Sequence, residues 1–199
     1  MQTLKKILRS HPLFRLFSAI GTLLLLCALP LCVSGDPEMS PVGKLLDQEL
    51  TMLEGDLVPL AEAMPADKYD FAPTAGEFKG VRTFGQQISH VAANIYTASA
   101  AMLADKNPPD LGKGEYGPDT LKGKESLVAY LKGAFAHAHK AMATLTPANL
   151  TDEVQATWGK APRLFMADLT LWHSFDHYGQ LVVYLRMNGI VPPASRPKK

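Results

Sequence analysis

Two histidines four residues apart, His173 and His177, lie in the apolar stretch LWHSFDHYGQ, residues 171–180. An α-helix has 3.6 residues per turn, so the two imidazoles project from one face on successive turns. Two such imidazoles can chelate one metal ion without strain, and histidine is the commonest ligand for late divalent metals. The alternative is two imidazoles that only share a face, and the spacing alone leaves both interpretations open.

A third histidine, His90, could complete such a site. It lies mid-helix on a polar stripe with Gln87, Asn94 and Thr97, within a segment that is otherwise rich in alanine and looks buried. Helical bundles build metal sites in their core from side chains on facing helices. Three neutral imidazoles with an open position make a site of the catalytic type. A buried, hydrogen-bonded core histidine is the alternative for His90, and the residues do not choose between the two.

Other polar side chains have weaker claims on such a site. His137 and His139 are two residues apart and project to nearly opposite sides of their helix, so they cannot both bind one metal, and solvated or core-edge positions are favoured. Asp176 could orient a ligand imidazole through its other ring nitrogen, although a partly exposed helix charge is the simpler interpretation. Asp168 has a similar status, and Glu77 could close over a pocket.

The first 35 residues have the pattern of a secretory signal peptide. Four basic residues precede an apolar run over residues 16–33, and small residues follow it, which predicts cleavage after Gly35. A retained membrane anchor is the alternative. Cleavage leaves 16 Lys and Arg against 19 Asp and Glu, a net charge of −3. We therefore expect an exported protein, periplasmic or extracellular, that binds no nucleic acid and, once cleaved, no membrane.

The residue types exclude several catalytic classes. Both cysteines, Cys27 and Cys32, lie in the leader, and a leucine before each disfavours lipid attachment. The mature chain therefore has no disulfide, thiolate ligand or cysteine nucleophile, and any metal must be held by nitrogen and oxygen donors. The zinc-protease motif places Glu after its first histidine, where this chain has Ser174, so that mechanism is excluded.

Four amphipathic segments predict an all-α fold. Each shows apolar residues at spacings of three and four, which is typical of a helix with one buried face. The predicted helices span residues 41–64, 83–104, 124–145 and 161–188.

Local signals support the ends of these helices. Ser40-Pro41 is an N-cap followed by a helix-start proline, and Gly189 ends the last helix. The connections are long and rich in Pro and Gly, so we predict a four-helix bundle with long loops and a crossover connection. No strand is predicted, and the tail over residues 194–199 is predicted to be disordered.

Two blocks of sequence resemble the DinB family of metalloenzymes. They are YDFAPTAGEFKGVRTFGQQISHVAAN, residues 69–94, and HSFDHYGQLVVYLRMNGIVPP, residues 173–193. The resemblance extends over the mature domain, residues 36–193, and implies a four-helix bundle with one crossover. It also maps the three metal ligands of the family onto His90, His173 and His177.

The resemblance implies a divalent metal ion, which could be zinc, nickel or iron, and some family members are thiol-dependent transferases or isomerases. We accordingly predict a metal-dependent hydrolase or transferase with a small-molecule substrate, and a homodimer is one possible assembly. A non-catalytic helical protein that binds a ligand or partner is the alternative. The family commonly has Arg where this chain has Tyr178, so any substrate contact made by that Arg is not carried over.

Overall fold

The computed structural model describes residues 38–114 and 116–197, so the predicted signal peptide lies outside the described residues. It contains four long helices, which confirms the predicted all-α bundle. They are α1 (Pro41–Ala63), α2 (Phe84–Leu103), α3 (Gly123–Ala143) and α4 (Arg163–Met187). No helix in this part of the chain combines the length and the apolar character that crossing a membrane requires.

Helix α1 begins at the predicted cap. The Oγ of Ser40 accepts a hydrogen bond from the backbone N–H of Gly43 at 3.1 Å, and Pro41 occupies the first helical position, where its missing N–H costs nothing. The leucines at residues 50, 53, 57 and 60 are fully buried. Their spacing of three and four places them on the face that packs against α3 and α4.

Helix α2 carries His90 and begins with a capping box. The Oγ1 of Thr83 accepts from the N–H of Gln86 at 3.2 Å, and the Oε1 of Gln86 accepts from the N–H of Thr83 at 2.9 Å. The helix ends where Ala104 takes a left-handed conformation, with φ of 49°. These two ends fix the register of the helix and hence the face on which His90 lies.

Replacing Thr83 by alanine is expected to lower the free energy of unfolding by about 1 kcal/mol, because the first turn of α2 loses its side-chain acceptor. Urea denaturation of both proteins measures the difference. Thr51→Ala is the matched control, since Thr51 is exposed mid-helix and only bonds back to Asp47. Equal losses in the two variants would show that the cap contributes nothing specific.

The order of the helices around the bundle explains the long connections. Helix α1 packs against α3 and α4, and α2 also packs against α3 and α4, whereas α1 and α2 lie on a diagonal. The chain between α1 and α2 therefore crosses one end of the bundle, as the predicted crossover requires. Fully buried aromatic and aliphatic side chains, among them Phe84 and Phe135, fill the space between the helices.

The prediction of no strand was wrong for the connection before α4. A two-stranded antiparallel hairpin lies there, with β1 at Glu153–Ala156 and β2 at Gly159–Pro162. Helix α4 begins at Arg163 rather than Ala161 because the last residues of β2 pair with β1. Strands of four residues are too short for an alternating pattern to stand out. A 3-10 turn at Pro193–Ser195 overlaps the start of the predicted disordered tail, residues 194–199.

Candidate metal centre

Three histidines from two neighbouring helices meet inside the bundle. His90 lies in the first half of α2, and His173 and His177 lie on successive turns of α4. One ring nitrogen from each lies within 4.8 Å of the other two. The Nε2 atoms of His90 and His173 are 3.2 Å apart. The structure thus brings together the three residues that the sequence singled out.

The geometry of this cluster fits a divalent metal ion. With Zn–N bonds of 2.0–2.1 Å, two ligands of a tetrahedral ion lie about 3.3 Å apart, close to the separation of the His90 and His173 nitrogens. The ring nitrogen of His177 needs to move inward by about 1.5 Å at most to reach the same ion. The Nδ1 of His173 is buried without a hydrogen-bond partner, so within the described residues its ring is held by packing and by His90 alone.

Burial keeps His173 and His177 uncharged at neutral pH. Desolvation, with a smaller contribution from the neighbouring His90, lowers the pKa of His173 to about 4. Desolvation likewise lowers the pKa of His177 to about 4, with contributions from His173 and His90. Both rings therefore present a free lone pair to a metal at pH 7, which a protonated imidazole cannot do.

A chain of hydrogen bonds orients His177. The Nδ1 of His177 lies 2.5 Å from the Oε1 of Gln87, the Nε2 of Gln87 donates to Gln180 at 3.2 Å, and Gln180 donates to Asp176 at 2.9 Å. The carboxylate of Asp176 can only accept, so Gln180 must donate to it through its NH₂ group and accept from Gln87 through its carbonyl oxygen. Gln87 is oriented in the same way, and its carbonyl oxygen faces His177, so Nδ1 of His177 must be the donor. Its Nε2 is then left for the cluster, as in other histidine ligands. We call Gln87, Gln180 and Asp176 the amide relay.

The other acidic residues and Tyr178 lie away from the cluster. Asp176 is exposed, as the simpler interpretation of the sequence had it, and it is linked to His177 through the two glutamines. Asp168 and Glu77 are exposed. Tyr178 is partly buried against the core, and burial raises its pKa, with a smaller effect of Asp56 on α1. The arginine that the family commonly has at this position would extend from the same face of α4 as Tyr178.

The two remaining histidines of the described residues tie helices together. The Nδ1 of His137 lies 2.7 Å from the Oγ of Ser99 on α2, and its Nε2 lies 3.2 Å from Asp105. His139 contacts α1 instead, with Asp47 at 2.6 Å and Glu54 at 3.1 Å. The prediction that they project to opposite sides of α3 is confirmed.

Ser99, His137 and Asp105 have the composition of a hydrolase triad but not its accessibility. Ser99 is fully buried, and its hydroxyl lies 2.7 Å from the carbonyl of Ile95, to which it donates. A nucleophile must reach its substrate, so this trio stabilises the contact between α2 and α3 rather than performing acyl transfer.

Replacing His139 by glutamine is expected to destabilise the protein more at pH 6 than at pH 9. Burial lowers the pKa of His139, but its bonds to Asp47 and Glu54 outweigh this effect and raise the pKa above its usual value. The protonated ring therefore adds stability below about pH 6.5, on the order of 1 kcal/mol, which is lost as pH rises through the folded-state pKa. Chemical denaturation at the two pH values measures it, and an equal loss at both would contradict this assignment.

A cavity of about 340 Å³ opens beside His90. Its lining includes Asn94 and Thr97, the next residues of the polar stripe on α2, together with Trp158 at the tip of the hairpin. Tyr116 lies on another side of His90, with ring centres 6.5 Å apart, and Arg82 lies over the Tyr116 ring. A ligand in this cavity would contact the histidine cluster directly.

Comparisons with known proteins agree with this fold. The sequence pattern of the DinB superfamily matches residues 49–181. A DinB-like protein from Bacillus subtilis has 16% identity and a TM-score of 0.55, covering 77% of this chain and 99% of its own. One from Bacillus cereus has 17% identity and a TM-score of 0.54, covering 75% and 95%.

A mycothiol-dependent maleylpyruvate isomerase also shares the fold, with 14% identity and a TM-score of 0.50, covering 72% of this chain and 60% of its own. No curated protein matches the sequence.

Proposed function

Because this chain belongs to the DinB superfamily, and because three of its histidines can hold one divalent ion, we propose that it is a metal-dependent hydrolase or transferase. The observation that carries the proposal is the convergence of ring nitrogens from His90, His173 and His177. A divalent ion on three imidazoles supplies Lewis acidity, which lowers the pKa of a water or thiol and polarises a carbonyl.

The candidate ligands that the described residues bring together at this site are all imidazoles. No carboxylate joins the histidine cluster among the described residues, and Asp176 is engaged by Gln180. The three ligands are neutral, so the full charge of a bound ion acts on the nucleophile and the substrate. The cavity beside His90 provides the space for a small-molecule substrate.

The metal, the location and the assembly are parts of the same proposal. Three imidazoles suit zinc, nickel or iron. The basic and apolar pattern of residues 1–35 supports export to the periplasm or the outside of the cell, and the mature chain requires no reduced thiol there. A homodimer stays a prediction.

An assay of metal-loaded and metal-free protein tests this function. The full-length protein is assayed for ester and amide hydrolysis and for transfer of low-molecular-weight thiols. We expect turnover that chelation abolishes and metal restores. Equal turnover without metal, or none with any of the three metals, would contradict the proposal and favour the non-catalytic alternative.

A further inference from the structure

Two cavities meet along one face of α2. The cavity beside His90 and a second cavity of about 390 Å³ share Thr97 and Thr157 in their linings. The second cavity continues past the end of α2 to Asp105 and Arg163. We call the two together the trench.

Small side chains form the floor of the trench. Ala93, Thr97, Ala100 and Ala104 follow one another at spacings of three and four, so they lie along one face of α2 beyond His90. At 1.5 Å per residue, the floor from His90 to Ala104 is about 21 Å long. A ligand that occupies the whole trench is therefore elongated.

One wall of the trench is the edge of strand β1. Residues 153–157 all line the second cavity, without a gap. Successive side chains of a strand point to opposite faces, so a cavity against one face would contact only alternate residues. The sheet has two strands in the described part of the chain, so β2 covers one edge of β1 and the trench borders the other.

The free edge of β1 presents backbone hydrogen-bonding groups. Ala156 pairs with Gly159 across a two-residue turn, which makes this the first hydrogen-bonded pair of the hairpin. Pairs alternate along an antiparallel ladder, so the N–H and C=O groups of Gln155 and Glu153 point away from β2. Pro162, which has no N–H, stands opposite Glu153, where β2 needs no donor.

In two side chains of the lining, one buried polar atom lacks a hydrogen-bond partner. The Oδ1 of Asn94 is a buried acceptor and the Nε of Arg163 is a buried donor, and neither has a partner among the described residues. A ligand with alternating N–H and C=O groups, such as a peptide backbone, offers a donor to the first and an acceptor to the second.

We propose that the trench binds an extended peptide, which adds to the free edge of β1 as a third strand and brings one end to the histidine cluster. At about 3.4 Å per residue, six residues span the trench. Pairing with the backbone supplies affinity, as in other cases of strand addition. The inference rests on the proposed function in one respect only, which is that a metal ion lies at the end of the trench where the peptide reaches the histidine cluster.

Binding of hexapeptides to the full-length protein tests the inference. A pool randomised at all six positions is incubated with the protein, and retained peptides are identified by mass spectrometry and resynthesised. Gln155→Pro removes the outward N–H without touching the ladder to β2, and we expect it to weaken binding about tenfold. Gln155→Ala keeps that N–H and is expected to stay within about threefold of the wild type.

Further variants separate this inference from the proposed function. Thr97→Phe fills the junction of the two cavities and should abolish binding while leaving β1 unaltered. In a His173→Ala background, which should lose metal, the Gln155→Pro and Gln155→Ala variants should still differ in peptide binding, because the outward N–H of Gln155 does not depend on the metal. Circular dichroism confirms that each variant is folded. If no peptide binds below millimolar concentration, or if the Pro and Ala variants bind equally, the inference is wrong whatever the metal content.

Discussion

His173→Ala protein is expected to retain less than about a tenth of the divalent metal that the wild-type protein holds after purification. Removing a residue that only hydrogen-bonds to a metal ligand lowers metal affinity about 10- to 100-fold, and removing the ligand itself should lower it more. His90 and His177 would remain as a pair, which holds a divalent ion far more weakly than three imidazoles. Elemental analysis of the purified full-length proteins measures the difference and identifies the metal.

A matched control is available on α3. His137→Ala removes a histidine whose nitrogens face Ser99 and Asp105, outside the cluster, so its metal content should equal that of the wild type. Circular dichroism establishes that both variants are folded. Equal metal in the His173 variant and the wild type, or none in either, would rule out the three-histidine site.

Gln87→Leu is expected to weaken metal binding by about 10- to 100-fold although the residue touches no metal. Gln87 is 2% exposed and accepts from the Nδ1 of His177, so leucine leaves that N–H buried without an acceptor. The ring then loses the bond that points its Nε2 into the cluster. The unsatisfied group also costs about 1–3 kcal/mol of folding stability.

Competition with a chelator of known affinity measures the metal affinity, and the visible spectrum of the cobalt form reports the ligand geometry. Gln87→Glu is the matched variant, because its carboxylate still accepts from His177 although it no longer donates to Gln180. We expect it to stay within about tenfold of the wild type. If Leu and Glu variants bind metal equally, the amide relay does not position His177.

The fold was accessible from the sequence where the signals are local. The cap at Ser40, the capping residue Thr83 and the leucine spacing of α1 all lie within a few residues of what they control. The hairpin before α4 was missed because four-residue strands carry little pattern. It is stabilised by pairing of β1 with β2 and by packing against α2 and α4.

The site was accessible in part for the same reason. The spacing of His173 and His177 fixes their common face, and the polar stripe with Gln87, His90 and Asn94 marks an unusual face of α2. That stripe is the signal that could have identified Gln87, since a buried polar residue needs a partner. Its partner could not be named, because nothing local relates α2 to α4.

The sequence by itself determined the four helices, the shared face of His173 and His177, and the absence of cysteine from residues 36–199. Only the tertiary structure decided that His90 meets His173 across 83 residues of chain and that Gln87 meets His177 across 90. The physical reason is that helix geometry is set by neighbours within one turn. The juxtaposition of helices is set by the packing of whole faces, which here puts α1 and α2 on a diagonal and brings α2 against α4.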